Sequence, residues 1–197
     1  MFRYLRGTYD YSLTLGGNIE VIGYTDAAYG DDIPTGRSTA GYLFFVGSGA
    51  VTWSSKRQQV VALSTTEAEY MAAAHAAKEA IWISGFLSEI GVEGHHPIHL
   101  KGDNTGSIDL SKDSQFHPRT KHINMRYHFI RECVNNGHIA LDYVPTNAMV
   151  ADALTKPLAV GPFSRFVSQV GLRAVTDSSS SLSSRTSGSV ERSEHEE

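Results

Sequence analysis

Ile19-Glu20-Val21-Ile22-Gly23-Tyr24-Thr25-Asp26 is the stretch on which the fold turns. It reads as a central β-strand. Ile19, Val21, Gly23 and Thr25 share one face, and Ile22 and Tyr24 the other. Apolar residues on both faces suit a strand covered on both sides. Asp26 stands at its C-terminal end, ahead of the small residues Ala27 and Ala28. A carboxylate closing a buried strand is costly unless water, a cation or a partner reaches it. In α/β sheets, ligands collect at that end of the strands. The competing reading is a solvated aspartate that opens a turn, and the rest of the chain has to decide between the two.

Outward from that strand, the punctuation is regular. Gly30-Asp31-Asp32-Ile33-Pro34 reads as a turn. Residues 39–46 and 50–54 read as two further strands, joined by a short loop at Gly47-Ser48-Gly49. Three antiparallel strands follow from this. Ser64-Thr65-Thr66-Glu67 has the spacing of a capping box, with Ser64 as N-cap and Glu67 as its reciprocal partner. A long helix rich in alanine runs from there to about Ile90 and stops at Gly91. Residues 98–103 form a fourth strand, again ending in an acid. Helices are expected over 104–110 and 123–136, with Gly137 as C-cap. Residues 139–144 form a fifth strand, and a last helix starts at 150 and is halted by Pro157. The order predicts an α/β fold: a five-stranded mixed sheet with helices on both faces.

Four acids then fall at element ends that a right-handed crossover brings to one edge of the sheet: Asp26, Glu69, Asp103 and Asp152. Glu67 is the rival to Glu69, but the capping box already gives Glu67 a structural role. Asp109, Asp113 and Asp142 read as solvated acids. Two like charges about 4 Å apart repel by roughly 4 kcal/mol at an effective dielectric near 20, so such a cluster either binds cations or holds protons. Oxygen-only ligands favour Mg²⁺ or Mn²⁺ over Zn²⁺. Two ions roughly 3.5–4 Å apart form a clamp for displacement at phosphorus.

Composition bounds the other possibilities. The chain has 197 residues, 41% of them hydrophobic, and a net charge of −4. Residues 176–197 hold nine Ser, five acids and two Arg, and are expected to be disordered. They carry −3 of the charge, so bulk charge neither points to nor excludes nucleic acid. Cys133 is alone, which leaves no internal disulfide, and reads as a small buried hydrophobe. No apolar run reaches 18 residues and no secretory signal is visible, so neither a membrane span nor secretion is expected. The stretch 115–131 carries Arg119, Lys121, Arg126 and Arg131, three His and no acid. It is a candidate for phosphate contacts or, equally, a solvated helix face. Lys56 and Arg57 are further candidates, and Trp53 and Trp82 read as core residues.

The motifs resemble the ribonuclease H domain of copia-type retrotransposon Pol polyproteins. The matching segments come in order: Tyr24–Tyr29, Arg37–Tyr42, Trp53–Gln58, Leu63–Tyr70, Asp103-Asn104, Arg119–Ile123, Arg126–Arg131 and Ala151–Leu158. The resemblance implies a ribonuclease H-like fold with sheet order 3-2-1-4-5. It implies metal-dependent cleavage of the RNA strand of RNA·DNA hybrids, with Asp26, Glu69, Asp103 and Asp152 as catalytic residues. It also implies a reverse transcriptase domain as partner within one polyprotein, in the cytoplasm and in a virus-like particle. The expected division is 1–16 as a remnant of the polymerase connection, 17–158 as the nuclease, 159–175 as a helical extension and 176–197 as the tail. Three positions depart from the pattern: loop 145–149 lacks the His of cellular relatives, Asn124 replaces a common acid, and Gly102 a common Cys. Rival readings are a polymerase motif at Tyr29–Asp32, another nuclease on the same fold such as an integrase or resolvase, and a decayed or domesticated copy that binds hybrid without cutting it.

Overall fold

The computed structural model describes residues 2–112 and 124–175. The elements are α1 (Phe2–Gly7), β1 (Tyr11–Leu13), β2 (Val21–Asp32), β3 (Arg37–Val46), β4 (Gly49–Arg57), α2 (Thr65–Glu89), β5 (Ile98–Gly102), α3 (Thr105–Lys112), α4 (Asn124–Asn135), β6 (Ile139–Tyr143), α5 (Asp152–Thr155), α6 (Val160–Gln169) and β7 (Leu172–Ala174). The chain divides into two compact units. One comprises Leu13–Arg173; of the other, the described residues are 2–12 and 174–175. In the smaller unit, α1 buries none of its residues, and Val175 N–H donates to the Asp10 carbonyl at 2.9 Å. The Ser-rich stretch 176–197 lies outside the described residues.

The large unit is built on a five-stranded sheet in the order β4-β3-β2-β5-β6. Counted from β2, this is the expected 3-2-1-4-5. β2, β3 and β4 form the antiparallel meander. β5 and β6 join in parallel, through Ile22–His99, Gly23–Leu100 and Tyr24–Lys101, then Ile98–Ile139 to Gly102–Tyr143. Gly47, at φ +64°, makes the two-residue turn between β3 and β4. A side chain there would meet the Gly16 carbonyl oxygen at 2.3 Å.

Two expectations about β2 need correction. The strand starts at Val21, and Ile19 is 54% exposed. It also runs past Asp26 to Asp32, because residues 26–28 continue to pair with Gly41, Ala40 and Thr39 of β3. What ends near Asp26 is the parallel pairing with β5, at Tyr24. Asp26 therefore sits where the sheet opens on one side and stays paired on the other.

Both sheet faces are covered, as the two-faced pattern of β2 requires. Under one face, α2 packs Tyr70, Ala73, Ala77 and Ala80 against Phe44 and Leu100, with Ile130 of α4 nearby in the same core. The small side chains let the helix lie close, and Tyr70, Phe44 and Leu100 are fully buried. On the other face, Leu43 packs with Met149, Val150 and Ala151. Fully burying a side chain such as Leu100 contributes about 1.5–3 kcal/mol. Cys133 is buried in the first core, as expected. Trp53 and Trp82, read as core, are 61% and 62% exposed. Trp82 stacks on Phe86 instead, with ring centroids 5.7 Å apart. No described helix is long and apolar enough to cross a membrane.

Candidate active site

α2 begins as its sequence dictates. Glu67 N–H donates to Ser64 Oγ at 3.1 Å, and Leu63 N–H donates to Glu67 Oε2 at 2.9 Å. The Ser64 half of the expected capping box forms, while the Glu67 side chain reaches one residue further back, to Leu63 rather than to the Ser64 N–H, and so is engaged at the helix start. Two residues on, Glu69 points to the open edge of β2. Its Oε1 accepts from the Ala27 N–H at 3.3 Å.

Three of the four predicted acids converge there. Asp26 of β2, Glu69 of α2 and Asp103 just after β5 each place a carboxylate oxygen within 4.8 Å of the others. No other group of three potential metal ligands lies that close among the described residues. Asp26 is buried, and Asp103 is partly exposed. At that separation each pair of charges repels by roughly 3–4 kcal/mol at an effective dielectric near 20. Burial, then the Asp26 and Asp103 charges, push the Glu69 carboxyl up to about 9. Burial also raises Asp26, against the lowering effect of its hydrogen bond to Thr155. Without a cation Glu69 keeps its proton at neutral pH; with one, the three carboxylate oxygens are the hard ligands that Mg²⁺ or Mn²⁺ prefers.

Asp152 opens α5 and lies outside this group of three. Its Oδ1 is 2.8 Å from Lys156 Nζ, one helical turn on. Its charge is nevertheless felt by Asp26 and raises that carboxyl further. Burial draws the Lys156 ammonium down, but the Asp152 hydrogen bond and the charges of Asp26, Asp152 and Asp103 outweigh it and raise it.

The residues that hold the acids in place escape a reading of the sequence. Thr155 Oγ1 donates to Asp26 Oδ2, across 129 positions of chain. Thr146 Oγ1 donates to Asp103 Oδ2 at 2.8 Å. Thr155 and Lys156 at least lie inside the closing motif; nothing local marks Thr146. The loop 145–149, where a His was missing, thus supplies a hydroxyl to the third acid. It folds as a 3-10 turn over Thr146–Ala148.

The acids of the polymerase-like motif have other partners. Asp31 accepts from the Thr39 N–H at 2.7 Å and from Thr39 Oγ1 at 2.8 Å, while Asp32 pairs with Arg57 at 3.2 Å. Both serve the β2–β3 hairpin and its neighbour strand. Asp142 pairs with His99 Nδ1 at 2.5 Å, and Asp109 is exposed. Of the basic candidates, Lys56 and Arg57 end β4 and are exposed. Arg119, Lys121 and Asp113 lie outside the described residues, as does the side chain of Arg126.

No protein-family profile matches the chain. It is 44% identical over 175 residues to the retrovirus-related Pol polyprotein from transposon TNT 1-94 of Nicotiana tabacum, covering 88% of this chain and 13% of that one. It is 38% identical over 180 residues to the Pol polyproteins from transposons RE2 and RE1 of Arabidopsis thaliana, covering 90% of this chain and 12% of each. The chain thus spans about an eighth of the relatives it matches. Among solved structures, RNase H1 from Halobacterium salinarum superimposes with a TM-score of 0.50 at 19% identity, over 69% of this chain and 94% of that one. LC11-RNase H1, from a compost metagenome, gives 0.54 at 15% identity, over 70% and 93%. The same protein in complex with an RNA/DNA hybrid gives 0.50 at 15%, over 68% and 93%. These structures share the fold, and the sequence relatives share nearly the whole chain. The protein is a homologue of copia-type retrotransposon Pol polyproteins, built on the ribonuclease H fold.

Proposed function

We propose that this chain is the ribonuclease H of a retrotransposon Pol polyprotein, a metal-dependent endonuclease that hydrolyses the RNA strand of RNA·DNA hybrids during reverse transcription. The observation that carries the reading is the convergence of Asp26, Glu69 and Asp103, from three separate elements, at the opening of the sheet. The relatives' identity and the hybrid held by a similarly folded protein support it.

Asp26, Glu69, Asp103 and Asp152 would hold two Mg²⁺ or Mn²⁺ ions, which when bound supply charge for activating water and steadying the leaving oxygen. The donor set fits: oxygen atoms only, partly or fully buried, with the Glu69 carboxyl pushed up to about 9 by burial and by the Asp26 and Asp103 charges unless a cation compensates them. The chain's own residues do the rest. Thr155 turns Asp26 inward, Thr146 orients Asp103, and the Ala27 N–H fixes one oxygen of Glu69. Such hydrogen bonds to ligand carboxylates set the geometry into which a metal binds. Lys156 keeps Asp152 paired at the rim, so an incoming cation competes with an ammonium for that carboxylate.

Arg119, Lys121, Arg126, Lys56 and Arg57 are proposed as backbone contacts to the hybrid, and a reverse transcriptase domain as the partner in cis. Cytoplasmic virus-like particles would be the setting. The test is cleavage of a hybrid labelled on each strand in turn. Cutting confined to the RNA strand, dependent on divalent metal and abolished by Asp103→Asn, supports the reading. Equal cutting of duplex DNA favours the rival nuclease instead.

A further inference from the structure

A second feature lies beyond the acids, on the outer side of α2. A cleft of about 690 Å³ opens between the end of β4, the solvent side of α2, and α4. Lys56, His75 and Lys78 line it, over a floor that includes Met71 and Phe129. Its lining contains no acid. Lys56 and Lys78 come from different elements, are both exposed, and have no carboxylate partner among the described residues. Arg57 also lines the cleft and pairs with Asp32 at 3.2 Å, which leaves Lys56 and Lys78 as the cations there without a carboxylate partner among the described residues. Lys78 Nζ lies 5.9 Å from the centre of the Phe129 ring, which holds its stem along one wall. The His75 ring stands edge-on to Tyr42, with centroids 4.9 Å apart. Glu79, the nearby acid on α2, is turned inward, where it accepts from Tyr42 Oη at 3.1 Å and Thr52 Oγ1 at 2.7 Å. Burial, then the Lys56 and Lys78 charges, hold the His75 imidazole below its ordinary range, against a weaker opposing effect of Glu79. Both ammonium groups therefore bear on one ring.

Unpaired cations converging on a concave, acid-free surface with an apolar floor fit a diffuse anion rather than a carboxylate side chain of the same molecule. The position says which anion. Lys56 faces Ala40, and Ala40 faces Ala27, whose N–H holds Glu69. Two strand spacings put Lys56 roughly 10 Å from that point. A nucleic acid strand rising 3.4 Å per nucleotide covers this in about three nucleotides. We infer that the Lys56–His75–Lys78 cleft is a phosphodiester site that takes the backbone of the hybrid about three nucleotides from the acid cluster. This rests on the proposed function for the identity of the polymer, though not for the chemistry of the cleft.

The experiment uses the full chain in EDTA, which prevents cutting, and measures hybrid affinity across a salt series by fluorescence anisotropy. The variants are Lys56→Gln/Lys78→Gln together and, as a charge control, Arg165→Gln on α6. Each lost phosphate contact lowers the slope of log K against log salt by about 0.9. The double variant should lose close to two from the slope and bind roughly 10- to 60-fold more weakly near 0.1 M salt; Arg165→Gln should leave the slope unchanged. The ring resonances of His75 should move when hybrid is added to the wild type. An unchanged slope in the double variant, or an unmoved His75, with hybrid still bound, overturns the cleft and leaves the nuclease reading standing. If the wild type ignores hybrid but a single-stranded oligonucleotide moves His75, and the double variant abolishes this, the cleft stands and the hybrid reading fails. If neither polymer binds, both fail.

Discussion

Replacing Glu69 with Gln should stabilise the metal-free protein and remove its response to metal. Glu69 is pushed up to about 9 by burial and by Asp26 and Asp103, from an ordinary value of 4.5. Between those values the folded state holds a proton that the unfolded state has released. Stability therefore falls as pH rises across that window. Each unit is worth about 1.4 kcal/mol, so at pH 7 the wild type forfeits at most about 3 kcal/mol through this group, and about 1–3 kcal/mol after allowance for solvent at the rim. Gln carries no such charge and keeps an oxygen for the Ala27 N–H. The expected result in EDTA is a variant equal to wild type near pH 4.5 and increasingly more stable up to about pH 9. In melting temperature this is roughly 2–4 °C per kcal/mol for a chain of this size. Adding Mg²⁺ or Mn²⁺ should raise the wild type and leave the variant nearly where it was. Urea denaturation at three pH values, with and without metal, measures all of this. A variant less stable than wild type at pH 8.5 in EDTA, or a difference that does not change with pH, refutes the electrostatic reasoning.

Other expectations follow from single contacts. Thr155→Val removes the hydroxyl that Asp26 accepts from; the Asp26 carboxyl should rise further, and metal affinity, read by calorimetry, should fall about 10- to 100-fold. A methyl on Gly41 would stand 2.8 Å from Thr155 Cγ2 and 2.9 Å from Leu154 Cβ. Gly41→Ala should therefore displace α5, costing about 1–3 kcal/mol in urea and disproportionately more in hybrid cleavage. Ser64→Ala opens the cap of α2 and should cost about 1 kcal/mol while leaving metal affinity within a few-fold.

The fold was legible because local and global signals agree in this chain. Alternation on both faces of Val21–Thr25, the Gly47 turn and the Ser64 N-cap each act over a few residues, and each is found where the sequence puts it. The capping-box spacing did more: it separated Glu67 from Glu69, two acids that composition alone treats alike. What the sequence hides is decided at long range. The continuation of β2 to Asp32 depends on pairing with β3, which the turn residues Gly30–Asp32 disguise. The Thr155–Asp26 and Thr146–Asp103 bonds span 129 and 43 positions. Trp53 and Trp82 were misread because size argues for burial, whereas one stands on the outermost strand of the sheet and the other on the solvent side of α2.

The most direct test of the account is an RNA·DNA hybrid, end-labelled on either strand, incubated with the folded protein and Mg²⁺ or Mn²⁺, with Asp26→Asn beside it. The account predicts that only the RNA strand is cut, only with metal, and only by the wild type. Cutting that survives Asp26→Asn, or a folded protein that binds both hybrid and metal and leaves the RNA intact, would contradict it.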